Sequence, residues 1–188
     1  FVTLSVPGRP VIIDNAGRVV WYLAAPDPVL SNFQAHPDGS YTSLGRATEV
    51  QEYRALDELG RETGRLACVD REETRFHEIR VEPNGSYWVM CHFRETVDLT
   101  DLGGLSEVDL DWTVIQHVSA VGELIWEWNS ADHLDVSDVG PEAIEGASAI
   151  NVTHGNAIAF DTDGNLWSSA GDGVHCISPQ GQLLGKVL

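Results

Sequence analysis

The chain has 188 residues, of which 43% are hydrophobic, so it is large and apolar enough to bury the core of one medium-sized domain. Asp and Glu number 29 against 11 Lys and Arg, and the resulting net charge of −18 argues against nucleic acid and anionic membranes as partners, because phosphate binding requires clustered cations. No apolar run reaches the roughly 18–20 residues of a membrane-spanning segment.

The acidity has two interpretations. Lys186 is the only lysine, which is typical of a genome that favours arginine. The alternative, which we prefer, is halophilic adaptation, because dense carboxylates keep a protein hydrated in high salt and screening removes their mutual repulsion. The chain opens on Phe1 rather than Met, which we interpret as processing or truncation. We predict a secreted protein with an extracellular, periplasmic or cell-surface location.

Two kinds of hairpin alternate along the chain. The first kind joins two apolar stretches through a small turn, and its copies lie at 11–23, 53–66, 114–129 and 174–188. The second kind has a D-G or N-G turn between strands of period 2, and its copies lie at 33–46, 76–92 and 154–171. Such turns supply the positive φ angles that a tight hairpin requires.

Two hairpins per unit give about four strands per repeat, which is the strand count of a propeller blade. We therefore predict an all-β protein, a β-propeller with about three and a half blades of four-stranded antiparallel sheet in this chain. The predicted single domain, 1–188, divides into repeat units at about 10–50, 51–113, 114–173 and, as a partial unit, 174–188. Acidic stretches at 93–111 and 130–150 lack alternation and are predicted to be loop insertions. Because an open sheet edge leaves unpaired strand groups, we expect further blades from the rest of the protein or a partner subunit.

The cysteines and histidines favour neither a zinc ribbon nor a metal centre. Cys68, Cys91 and Cys176 lie far apart without C-x-x-C spacing, which also argues against a disulfide framework. Cys91 and Cys176 occupy apolar, alternating segments and are predicted to be small buried hydrophobic side chains. No pair of histidines has H-E-x-x-H spacing, so we predict no metal site.

Three segments carry a resemblance to a known family: FHEIRVEPNGSYWVM at 76–90, GELIWEWNSADHL at 122–134 and THGNAIAFDTDGNLWSSA at 153–170. They resemble the arylsulfotransferase family of six-bladed propellers, and the resemblance covers most of residues 10–188. It implies transfer of a sulfuryl group from an aryl sulfate to a phenolic small molecule. It also implies that the reaction uses no cofactor and proceeds through a transiently sulfated histidine.

The resemblance implies His77 and His154 as catalytic residues and Asn156 as a substrate-binding residue. Aligning the hairpins on their turn glycines places His77 opposite Asn156 and Arg75 opposite His154. Residues two apart on a strand share a face, so the two pairs are predicted to face the central channel from two blades. Imidazole, amide and guanidinium donors suit the charge on sulfuryl oxygens, and we therefore add Arg75 as a substrate-binding candidate.

The chain also departs from the family pattern. The strand after H-x-N reads S-S-A at 168–170, where the family has a sulfate-binding arginine, and Arg46 or Arg75 is the candidate replacement. The family's sulfated histidine falls on a blade beyond Leu188, so we expect an incomplete active site in this chain. The alternative function is a non-catalytic propeller that binds a ligand or a protein. A lactonase-like propeller is a third alternative, but it would need a calcium ion among carboxylates.

Overall fold

The structure, a computed structural model, describes residues 2–6, 9–23, 30–36, 39–45, 52–71, 73–171 and 173–187. Within these ranges β-strands are the main regular structure, with very little helix, and they form four sheets that follow one another in sequence. Nearly every strand pairs in an antiparallel manner with the next strand of the chain, so each sheet is a meander of local hairpins. The predicted all-β class is confirmed. No helix in the described ranges has the length and apolarity needed to cross a bilayer.

The strands of each sheet are as follows. The first sheet contains β1 (Val2–Val6), β2 (Arg9–Ile13) and β3 (Val19–Tyr22). The second contains β4 (Leu30–Ala35), β5 (Tyr41–Gly45), β6 (Glu52–Leu56) and β7 (Glu62–Leu66). The third contains β8 (Thr74–Val81), β9 (Tyr87–Val97), β10 (Val108–Val118), β11 (Leu124–Asn129) and, parallel to β10, β12 (Ala149–Asn151). The fourth contains β13 (Ala157–Phe160), β14 (Leu166–Ala170), β15 (Gly173–Ile177) and β16 (Leu183–Val187).

The predicted N-G and D-G hairpins are present. Gly85 joins β8 to β9 with a φ of 83°, and Gly164 joins β13 to β14 with a φ of 80°. Both angles lie in the left-handed region that favours glycine. The acidic residue that opens the second turn, Asp161, accepts hydrogen bonds from the side chains of Asn165 and Trp167, so the turn is tied to the strand that follows it.

The first strands of consecutive sheets lie side by side. Asn32 of β4 donates from Nδ2 to the carbonyl of His77 in β8 at 2.8 Å, and Arg80 of β8 donates to the carbonyl of Ile158 in β13 at 3.0 Å. The sheets pack face to face behind these strands. The core between the second and third sheets includes Leu44, Tyr53, Ile79, Val89 and Val114, and the core between the third and fourth includes Met90, Ile115, Trp128, Ile158 and Ile177. This stacking is the arrangement expected of successive propeller blades.

One predicted loop insertion is wrong in part. Residues 93–97 end β9 and residues 108–111 begin β10, so only 98–107 connects strands, with one turn of 3₁₀-helix at Thr100–Leu102. Apolar residues do alternate in 108–112, but the intervening acidic residues concealed the pattern. The second stretch, 130–150, is largely without strand and contains 3₁₀-helices at Ser130–Asp132 and Val136–Val139 and the helix α1 at Pro141–Ile144.

The sheets begin and end half a unit away from the predicted repeat units. The boundaries predicted near residues 50, 113 and 173 fall inside the second, third and fourth sheets. Sequence alone identifies which hairpins alternate, but it does not say which hairpin opens a sheet. The pairing of β5 with β6 and of β9 with β10 decides that point. The single-domain organisation of 1–188 stays a prediction.

The cysteines differ from the expectation in one respect. Cys68 and Cys91 form a disulfide, which joins the segment after β7 to β9 of the next sheet. The long separation in sequence argued against it, but the packing of neighbouring sheets brings the two residues together. Cys176 is buried and free, as predicted.

Candidate active site

Strand β8 carries a bulge at the residues predicted to be functional. Thr74 lies opposite Cys91 and Ile79 lies opposite Val89, so residues 75–78 occupy the space of one residue of β9. Strand β4 also has a register shift in its middle. A bulge interrupts the period-2 alternation and turns successive side chains in directions that a regular strand excludes.

Arg75, at the start of this bulge, is buried among acceptors. Only 3% of the residue is exposed. Its Nη2 donates to Oδ2 of Asp111 at 2.9 Å and to the carbonyl of Trp112 at 3.2 Å, and its Nε donates to the carbonyl of Cys91 at 3.3 Å. A buried guanidinium requires such acceptors, because its desolvation is otherwise uncompensated. Arg75 thus connects β8 to β9 and β10, and its role as a substrate ligand stays a prediction.

Asp111 also accepts a hydrogen bond from the ring of His92. Nδ1 of His92 lies 2.8 Å from Oδ1 and 3.0 Å from Oδ2 of Asp111. Burial raises the pKa of the Asp111 carboxyl, but the hydrogen bond from His92 and the charge of Arg75 outweigh it, so the pKa lies below its usual value. The carboxylate is therefore ionised at neutral pH and accepts from both neighbours.

His77 lies in the middle of the bulge and is held through its backbone. Nδ2 of Asn32 donates to the His77 carbonyl and, at 2.7 Å, to the hydroxyl of Tyr53. Burial lowers the pKa of His77, and the charges of His154 and Arg75 lower it further. The imidazole is therefore neutral at pH 7.

His154 precedes β13 and has an unusual backbone. Its φ of 45° lies in the left-handed region, which a residue other than glycine occupies only with local support. Asn151 gives this support, because its Oδ1 accepts from the backbone N–H of His154 at 3.0 Å and its Nδ2 lies 2.8 Å from the ring Nδ1. The backbone contact identifies the amide oxygen, so the amide nitrogen must donate to Nδ1. Nδ1 is thus an acceptor, and the proton of the neutral ring is on Nε2.

Buried hydroxyl groups anchor the segment that carries His154. The hydroxyl of Thr113 accepts from the backbone N–H of Gly155 at 3.0 Å and from the hydroxyl of Thr153 at 2.9 Å. A Cβ on Gly155 would lie 2.7 Å from the side chain of Thr113, so this close approach requires glycine. The segment is therefore fixed against β10.

The predicted pair of histidines comes together in the structure. The ring centroids of His77 and His154 are 5.9 Å apart, with their planes inclined by 53°. The His77 ring belongs to β8 of the third sheet, and the His154 ring belongs to the segment just before β13 of the fourth sheet. Asn156 lies beside them and donates from Nδ2 to the carbonyl of His154 at 2.8 Å. The two rings and the Asn156 amide thus lie together where the third sheet meets the fourth.

A family model described as Arylsulfotransferase (ASST) matches residues 2–177. The chain belongs to the arylsulfotransferase family. The resemblance carried by the three sequence segments is thereby confirmed, and the match extends to both sides of them. Among curated proteins, no match was found for this arylsulfotransferase-family chain.

Solved structures resemble the arylsulfotransferase-family chain in fold. A protein of unknown function from Bacteroides caccae has a TM-score of 0.53 and 17% identity, over 96% of this chain and 54% of that one. Hydrazine synthase from Kuenenia stuttgartiensis has a TM-score of 0.52 and 13% identity, over 91% of this chain and 46% of that one. The chain has the propeller fold of these structures and spans about half their length.

The described residues offer no metal centre for this family member. No group of three or more His, Cys, Asp or Glu side chains in those ranges is arranged to hold a metal ion. Arg46, one candidate replacement for the family's arginine, lies outside the described residues.

Sequence reasoning missed three residues around this site. Asp111 was placed in a loop, although the alternation of Val108, Leu110 and Trp112 extends β10 across it. Asn151 begins an N-x-T triplet, a frequent chance pattern, and nothing in the sequence indicated its contact with His154. His92 lies seven residues past the turn glycine Gly85, as Arg46 does past Gly39, but that position alone indicated no role. It lies on β9, the strand that pairs with the strand of His77.

Proposed function

We propose that this protein transfers a sulfuryl group between phenolic compounds at the site formed by His77, His154 and Asn156. The observation that carries the proposal is the approach of two histidine rings to 5.9 Å across neighbouring sheets in a member of the arylsulfotransferase family. Because the chain spans about half the length of similar solved structures, the activity is proposed for the full-length protein.

The site suits an aryl sulfate for a physical reason. The tautomer set by Asn151 directs an N–H from Nε2 of His154 away from its own loop. A hydrogen-bond donor of this kind stabilises the negative charge on the sulfuryl oxygens and on the departing phenolate oxygen. His77 presents a second ring on the other side, and its neutral form limits repulsion between the two imidazoles.

Turnover of 4-nitrophenyl sulfate with a phenol acceptor tests the proposal. We expect release of 4-nitrophenol from the full-length protein, and at least a hundredfold lower kcat/KM in His154→Ala, since one charge-stabilising donor contributes about 10²–10³-fold. His133→Ala is the matched control, because His133 is exposed and stacks on Trp128 rather than on His77. The proposal fails if the wild type is inactive or if both variants retain full activity.

A second candidate is a propeller that binds aryl sulfates or related anions without turnover. The commitment of Arg75 to Asp111 and two carbonyls favours it, as does Gly171, which lies beside His154 without a side chain. Calorimetry separates the two candidates. Binding of 4-nitrophenyl sulfate that depends on His154, without release of 4-nitrophenol, supports the second.

We also propose a location outside the cytoplasm. The Cys68–Cys91 disulfide supports it, because disulfides persist in oxidising compartments and are rare in the cytosol. Mass spectrometry of the protein isolated from its native cells under alkylating conditions tests this point. Free thiols at both positions would contradict it.

A further inference from the structure

His92 lies on the same side of the third sheet as the segment that carries His154. It is directly opposite Thr113 in the pairing of β9 with β10, and residues opposite one another in an antiparallel pair project from the same face. The Thr113 hydroxyl accepts from the backbone N–H of Gly155, the residue after His154. His92 thus faces the anchored segment, and the bulge of β8 adds His77 and Arg75 from the other side.

The tautomer of His92 is opposite to that of His154. The Asp111 carboxylate has no proton to give, so the proton in the short contact belongs to Nδ1 of His92. Nε2 then carries the lone pair of the neutral ring. In the described part of the chain Nε2 has no protein hydrogen-bond partner, and it is not sealed from solvent. The pair is an Asp–His dyad with its basic nitrogen available.

We infer that His92 is the general base that accepts the proton of the acceptor phenol, with Asp111 as its positioning residue. The inference rests on the proposed sulfuryl transfer and adds a residue to that site. With the sulfated histidine that the family resemblance implies, the transfer has two steps. In the first step the donor S–O bond breaks as the sulfuryl group binds that histidine, and the donor leaves as a phenolate. In the second step the acceptor O–H bond breaks, its proton binds Nε2 of His92, its electron pair forms the new S–O bond, and the S–N bond to the sulfated histidine breaks. The proton on Nε2 then passes to the donor phenolate. The reaction thus converts one aryl sulfate and one phenol into another such pair.

The contacts around His92 suit a base. The Asp111 carboxylate accepts from Nδ1 of His92 and from Arg75, so it holds the ring in one orientation. The same carboxylate stabilises positive charge that develops on the ring as Nε2 takes up a proton.

A series of acceptor phenols tests the base. With an acceptor of pKa about 10, His92→Gln should lower kcat/KM by about 10²–10³-fold. With an acceptor whose pKa lies below the assay pH, the loss should be less than about tenfold, because that acceptor is already ionised. Binding of 4-nitrophenyl sulfate should be unchanged. Equal losses with both acceptors would overturn the inference, because a merely structural role affects both alike.

His117→Gln is the matched control. His117 also contacts a carboxylate, Glu82, but it does so through Nε2 at 3.4 Å and stacks on Trp88 next to the turn at 82–86. It should show no difference between the two acceptors. Selectivity for the ionised acceptor in His117→Gln as well would overturn the assignment to His92.

A measurement without turnover separates this inference from the proposed function. Long-range ¹H–¹⁵N NMR of the wild type should find His92 as the Nδ1–H tautomer at neutral pH, and it requires no variant that could misfold. The Nε2–H tautomer would overturn the dyad even if the enzyme is active. Absence of turnover in the wild type would overturn the proposed function and the base with it, even if the tautomer is as expected.

Discussion

At the scale of single residues, the site depends on which nitrogen of each histidine carries the proton. Asn151 makes Nδ1 of His154 an acceptor, whereas Asp111 makes Nδ1 of His92 a donor. The two rings therefore offer opposite functions at their remaining nitrogens, one a donor and the other an acceptor. In the proposed site, the side chains that hold the rings thus determine what each ring can donate or accept.

Replacement of Asn151 should disturb this division. Asn151→Ala removes both hydrogen bonds to His154, so we expect a mixed tautomer by ¹⁵N NMR and a threefold to tenfold weaker affinity for 4-nitrophenyl sulfate, corresponding to about 1 kcal/mol for one net hydrogen bond. Asn84→Ala is the control, because Asn84 supports the backbone of Ser86 in another turn. An unchanged tautomer in Asn151→Ala would contradict the expectation.

Anion affinity should depend on pH through His77. Its folded pKa lies below the ordinary value of 6.5, so the ring gains a proton only as the pH falls below that value. Binding of 4-nitrophenyl sulfate should then tighten, by at most about tenfold per pH unit, because a cation faces the sulfate. The unfolded chain takes up the proton first, so the contribution of His77 to the free energy of unfolding is lost as the pH falls through the same window.

Calorimetry from about pH 8 to about pH 5 measures this dependence. His77→Gln should flatten the rise in affinity, whereas His117→Gln should preserve it. If His77→Gln leaves the full pH dependence in place, the proton is taken up elsewhere.

At the scale of elements, the bulge of β8 and the disulfide position the site. The bulge turns Arg75 into the sheet and leaves His77 near the fourth sheet. The disulfide fixes Cys91, whose carbonyl accepts from Arg75 and whose neighbour is His92. The bulge thus ties strands within the third sheet, and the disulfide joins the end of the second sheet to the third.

Loss of the disulfide should destabilise the protein by about 3 kcal/mol, because the bond closes a loop with a sequence separation of 23. Urea denaturation with and without dithiothreitol measures the loss. The double variant Cys68→Ala with Cys91→Ala should have the lower stability and no response to the reductant. Cys176→Ala should keep the response, since that cysteine is free. A wild type that ignores reduction throughout its unfolding transition would contradict the expectation.

The sequence predicts local features well and long-range ones poorly. The turns at Gly85 and Gly164 follow from adjacent residues, and so do the strands that they join. The approach of His77 to His154 followed from the repeat, because equivalent strands occupy equivalent places. The ion pair of Arg75 with Asp111 could not be predicted from the repeat. Asp111 is 36 residues away in sequence, and Arg75 reaches it only because β8 has a bulge, whereas a regular strand alternates its side chains strictly.

At the scale of the whole molecule, the acidic surface dominates. The formal net charge of −18 is carried by 29 acidic residues against 11 basic ones. Some carboxylates are paired, such as Glu127 with Arg71 and Asp57 with Arg61, but the basic residues are too few to pair with all of them. Self-repulsion of this size destabilises the compact state at low ionic strength.

The free energy of unfolding should therefore rise with NaCl concentration. Between about 0.01 M and about 1 M the screening length falls from about 30 Å to about 3 Å, so repulsion across the surface disappears. Urea denaturation at several salt concentrations measures the rise, with sucrose of equal osmolality as the control for exclusion effects. A stability that is constant, or that falls with salt, would contradict halophilic adaptation.

The short strand β12 supports the ring of His154 and links that ring to the edge of the third sheet. It pairs in parallel with the edge of β10, and the next amide, that of Val152, donates to the carbonyl of Asp111. Asn151, the last residue of β12, donates a hydrogen bond from its side-chain amide to the His154 ring. Because only three residues pair β12 with β10, we expect this strand to open before a whole sheet does. If the proposed site binds sulfate through His154, hydrogen exchange at the Val152 amide should slow, so that amide would report occupancy of the site.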